Sequence, residues 1–111
     1  MKIDFAELLK DLKDDIMMLA RKTLTERVKE AQMDAQYILD FTRMNLEKWT
    51  IELADGSLSK DDFEYHLKSQ RDMLSLVALK QAGISKVKID KFREDVFTII
   101  TASILKAAGL S

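Results

Sequence analysis

Cysteine and proline are absent from this 111-residue sequence, and glycine occurs only three times and histidine once. Without cysteine there are no disulfides, thiolate metal ligands or thiol nucleophiles, and the chain fits a reducing, cytoplasmic setting. A single histidine, His66, cannot supply an internal metal-binding pair or a His-based relay. A ferritin-like carboxylate site would need Glu three residues before it, where Phe63 stands. Isolated glycines build neither a phosphate-cradling loop nor a dinucleotide fingerprint, and no serine has a histidine at motif spacing. No catalytic site and no cofactor is expected.

Charge of one sign is lacking too. Eighteen basic and nineteen acidic residues give a formal charge of −1, which leaves no electrostatic footprint for nucleic acid. Long apolar runs are missing: Val96 to Leu105, the longest nearly apolar stretch, falls well short of the roughly 20 residues that span a bilayer as a helix. Stable membrane insertion is not expected. The start of the chain, MKIDFAELLKDLKDD, has no uninterrupted apolar region of the secretory-signal kind.

With so few backbone breakers, what remains is helical periodicity. Residues 1–111 read as one all-α domain with helices over about 4–54, 59–82 and 90–108. Asp4 caps the first. Its apolar series runs through Phe5, Leu8, Leu9, Leu12, Ile16, Leu19 and Ala20, then on through Leu24, Val28, Ala31, Ala35, Ile38, Leu39, Leu46, Trp49 and Leu53. Thr23 and Glu26 have the spacing of a capping box, which permits a kink. The helix is nevertheless read as continuous, about 75 Å long.

Asp55-Gly56-Ser57 makes a turn, and Ser59 caps the second helix. The segment from Asp55 to Phe63 resembles the second half of a calcium-binding loop, but Ile51 and Leu53 occupy the places of the first two oxygen ligands, so turn chemistry explains its carboxylates. Gly83 stops the second helix, Ile84 to Ile89 form a connector, and Asp90 caps the third. Around that connector Lys80, Lys86, Lys88, Lys91 and Arg93 make a basic cluster without a stacking platform, read as solvated helix ends. His66 is read as a surface residue. Tyr37 and Tyr65 are placed at the core boundary with wet hydroxyls. Met17, Met18, Met33, Met44 and Met73 are spread along the helices as packing residues rather than gathered on one groove.

The last helix sets the functional expectation. Phe92, Val96 and Ile99 form one apolar row and Phe97, Ile100 and Ile104 another, while Met73 to Leu79 is apolar nearly all round. The first row is expected to pack within the subunit. Leu76, Val77, Phe97, Ile100 and Ile104 are expected to meet a neighbouring copy, so that oligomerisation completes an antiparallel, coiled-coil-like bundle. The chain then reads as a small non-enzymatic, homo-oligomeric structural or interaction protein, a scaffold or adaptor. The alternative is a membrane-surface protein with an amphipathic helix in the interface.

Overall fold

The computed structural model describes residues 3–110, and every regular element among them is helical. Helix α1 covers Phe5–Thr23, a 3-10 turn Thr25–Arg27, α2 Val28–Asp55, α3 Lys60–Met73, α4 Val77–Gln81 and α5 Lys86–Ala107. Asp4 caps α1, accepting from the Glu7 N–H at 3.2 Å. Helices α1, α2 and α5 pack on one another pairwise, α3 lies mainly against α5, and α4 mainly against α2.

The first helix is not continuous. It breaks at Leu24, whose backbone leaves the helical region at φ −122° and ψ 58°. Thr23 does not cap the new start: its hydroxyl donates back to the Leu19 carbonyl at 2.8 Å. The break spares most backbone hydrogen bonds, since the Leu24 N–H still reaches Ala20 O and the Arg27 N–H reaches Leu24 O. A continuous rod cannot pack its two halves together. The bend lets Leu12, Ile16 and Ala20 of α1 join Ala31, Ala35 and Ile38 of α2 in one core, with Leu24 itself buried at the corner.

Helix α2 ends as the sequence reading expects. Gly56 adopts φ 85°, a conformation costly for any residue with a Cβ. Asp55 accepts from both the N–H and the hydroxyl of Ser57, and these bonds hold its carboxyl below the usual range. Ser59 then receives the Asp62 N–H at 3.1 Å and starts α3.

The second predicted helix is interrupted. After Met73 the chain is extended at Leu74 and resumes as the short α4 at Val77. A segment apolar all round cannot bury every side chain from one straight helix. The interruption turns Leu74, Leu76 and Leu79 inward and leaves Met73 and Val77 outward. Gly83 closes α4 with paired bonds from Gly83 N–H to Lys80 O and Ile84 N–H to Leu79 O, a Schellman stop.

The last helix begins four residues earlier than the sequence reading places it, because Ser85 rather than Asp90 caps it, accepting from the Lys88 N–H. The apolar-polar alternation of the connector is a helix turn, with Ile89 buried and Val87 exposed. Asp90 instead accepts from Arg93 and pairs with Lys86.

Candidate interaction surface

Helix α5 packs against every other α-helix. Both of its apolar rows are therefore consumed inside one chain. Phe92 and Val96 are buried and Ile99 is half-buried against the core, and Phe97, Ile100 and Ile104 are buried too, of which Phe97 keeps 4% of its surface and the other two none. Of the residues expected to meet a neighbour, Leu76 is buried as well, and Val77 alone is exposed. Four of those five side chains have almost no surface to offer a partner while the subunit stays folded.

The basic cluster is largely neutralised by its own surroundings. Lys86 pairs with Asp90 at 3.5 Å, Lys88 with Glu26 at 3.3 Å, and Lys91 with Asp95 at 2.9 Å, while Arg93 pairs with Asp90. The bond to Asp95 raises the Lys91 ammonium above its ordinary range, and Glu26 is lowered by backbone and Lys88 hydrogen bonds. Lys80 has no such partner among the described residues. Beneath Lys80, Lys86 and Arg93 an open cleft of about 380 Å³ has Leu74, Leu76, Ile84 and Ile89 on its floor. A second cleft of about 450 Å³ lies between α3 and α5 over Leu67, Phe97 and Leu105, with Glu64, Lys68 and Arg71 among its lining residues. Neither gathers convergent polar groups of the kind that fix a small ligand.

His66 stacks on Trp49 at 5.7 Å and nearly parallel, and Tyr65 meets it edge-on at 6.0 Å. Trp49 in turn contacts buried Phe63. His66 thus covers the flank of the core at the α2–α3 corner. No three His, Asp or Glu side chains gather as metal ligands among the described residues.

Asp34 and Arg93 form a clamp on the α3–α4 corner. Asp34, on the core side of α2, accepts from the Ala78 N–H at 3.1 Å and the Leu79 N–H at 2.8 Å. Helix α4 has no capping side chain of its own, so this carboxylate from a distant helix does that work. Burial pushes its pKa up, against the lowering effect of the two N–H bonds. On the other side of the linker, Arg93 of α5 donates to the Leu74 carbonyl and to Asp90. The α3–α4 corner is thereby held at a carbonyl by a cation and at two N–H groups by an anion. Asp34 is buried, while Arg93 keeps part of its surface at the edge of the open cleft.

The largest exposed apolar feature is on α2. Met33, Tyr37, Phe41, Met44 and Ile51 are all exposed, Met44 at 85%. Their spacing of four, four, three and seven residues puts them in one stripe. The core face of the same helix, with Ala31, Ala35, Ile38, Leu46 and Leu53, lies opposite. The rings of Tyr37 and Phe41 lie 6.3 Å apart on the outer side. Met33 and Met44 share a face, contrary to the dispersal expected from the sequence, and Tyr37 stands fully in the stripe. Two opposed apolar faces cancel in any one-sided reading of amphipathicity, which is why the inner row hides the outer one.

No protein-family model, curated protein or solved structure matches the chain. No helix among the described residues is long and apolar enough to cross a membrane.

Proposed function

We propose that the protein is a non-enzymatic helical interaction module, a scaffold or adaptor that associates with copies of itself. The observation that carries this reading is the second apolar face of α2. Met33, Tyr37, Phe41, Met44 and Ile51 have the methionine and aromatic content typical of the buried centre of protein interfaces. A monomer gains nothing from holding such a row in water. Association therefore completes the bundle on the outside of α2, rather than on α5 where the sequence alone points. The cytoplasmic setting expected from the composition goes with this reading.

The membrane-surface alternative is the weaker one. Helices that lie in a lipid interface carry abundant Lys and Arg beside the apolar face. Around its stripe α2 instead carries Glu30, Asp40, Glu47, Glu52 and Asp55 against Lys29, Arg43 and Lys48. Light scattering on the purified chain tests the proposal. A mass at least twice the 12.8 kDa of one chain is expected at micromolar concentration. A single-chain mass at every concentration up to the millimolar range would sink it.

A further inference from the structure

The outer face of α2 also specifies how two copies meet, an inference that rests on the self-association proposed above. Twofold dimers bring one patch against itself, so the patch must be self-complementary. The α2 stripe has that property when read in opposite directions from the level of Thr42. Met33 lies as far to one side of that level as Ile51 does to the other, and Phe41 and Met44 flank it closely. Charge obeys the same symmetry. Asp40 and Arg43 sit beside the stripe on the same flank, both exposed, and neither belongs to an ion pair within the described residues. Among the described residues Asp40 accepts only from Gln36.

From these observations we infer that a second copy of this chain covers the stripe, with the two α2 helices antiparallel and the twofold axis at the level of Thr42. Met33 then meets Ile51 of the other copy, Phe41 meets Met44, and Asp40 pairs with Arg43, each contact occurring twice. Tyr37 lies beside Lys48 of the other copy, where its hydroxyl can receive the ammonium. The two Arg43 also approach each other beside the axis, bracketed there by the two Asp40 carboxylates, and Glu30 approaches Asp55 near the ends of the contact. A parallel pairing would instead set Met33 on Met33 and carry Asp40 and Arg43 of the two copies to opposite flanks, where neither finds its counter-charge. Helix α2, about 42 Å long at 1.5 Å per residue, is close in length to the 43 Å long dimension of the subunit, so a contact along its stripe can extend over much of one side.

The lack of cysteine makes the register directly measurable. Met33 and Ile51 are about 27 Å apart along one helix, so cysteines placed there cannot bond within a chain. Under mild oxidation the Met33→Cys and Ile51→Cys variants, mixed, are expected to form a disulfide-linked pair, and Met33→Cys alone to stay unlinked. In sedimentation, Arg43→Asp sets carboxylates opposite each other at both ends of the central contact and is expected to weaken association about tenfold or more. The double exchange Asp40→Arg with Arg43→Asp restores it. Disulfide pairing of Met33→Cys with itself would show parallel helices and overturn the inference. A wild-type dimer that ignores both Arg43→Asp and Met44→Asp would place the contact on another face, overturning this arrangement while leaving self-association intact. A wild-type chain that is monomeric throughout removes both.

Discussion

Asp34 is the residue whose environment departs furthest from what its type prefers. Its two carboxylate oxygens each receive one backbone N–H, so Asn can satisfy only one and turns its own N–H₂ toward the other. Asp34→Asn is expected to cost about 1–2 kcal/mol and Asp34→Ala about 1–3 kcal/mol, the cost of stranding buried donors, as read from urea unfolding. The pH dependence has a definite sign. Burial raises the folded-state pKa above its ordinary value, so the folded chain binds this proton more tightly than the unfolded chain. The contribution of Asp34 is then largest below the ordinary carboxylate range and declines as pH rises through the folded pKa. The stability difference between wild type and Asp34→Asn should shrink over that interval; growth with pH would mean that the N–H bonds outweigh desolvation. An acid interrupting the row Ala31, Ala35, Ile38 was the visible sign of this role. Its partners were not legible, because backbone N–H groups more than forty residues away have no side-chain signature. Arg93 was visible only as one member of a basic run, and its hold on Leu74 depends on a corner that periodicity does not announce.

The elements divide between those with local signals and those decided by packing. Asp4, Ser59 and the turn at Gly56 carry their own capping chemistry, and the helix ends they mark stand where the sequence puts them. The breaks at Leu24 and at Leu74–Leu76 have no glycine or proline, and they exist because separate helices bury more apolar surface than straight ones. Thr23 and Glu26 offered a capping signal, but the hydroxyl of Thr23 is used inside α1 instead. The corner therefore depends on Leu24, which is 2% exposed. Leu24→Ala is expected to cost about 2–5 kcal/mol, as for other buried leucines. Thr23→Ala, which removes only an exposed back-bond, should change stability by less than about 0.5 kcal/mol. Equal effects in thermal or denaturant unfolding would show that the Thr23 hydroxyl, not the buried leucine, fixes the bend.

At the scale of the whole molecule, α5 and α2 exchange the roles that hydrophobicity alone assigns them. The last helix is the more apolar, yet four neighbours enclose it, while α2 buries one face and leaves a second uncovered. This contrast separates two variants that look alike on paper. Ile100 has no exposed surface, so Ile100→Asp places an unpaired carboxylate inside the subunit. That penalty of several kcal/mol is comparable with the roughly 5–15 kcal/mol that holds a domain folded. Loss of cooperative melting at every protein concentration is the expected result. Met44→Asp adds a charge to a side chain already in water, so the subunit should stay folded with native helicity. Because association stabilises only the folded state, the wild-type melting temperature should rise with protein concentration. Met44→Asp should abolish that rise and leave the dilute-limit value unchanged. A folded Ile100→Asp monomer together with an unaltered Met44→Asp oligomer would return the interface to the last helix.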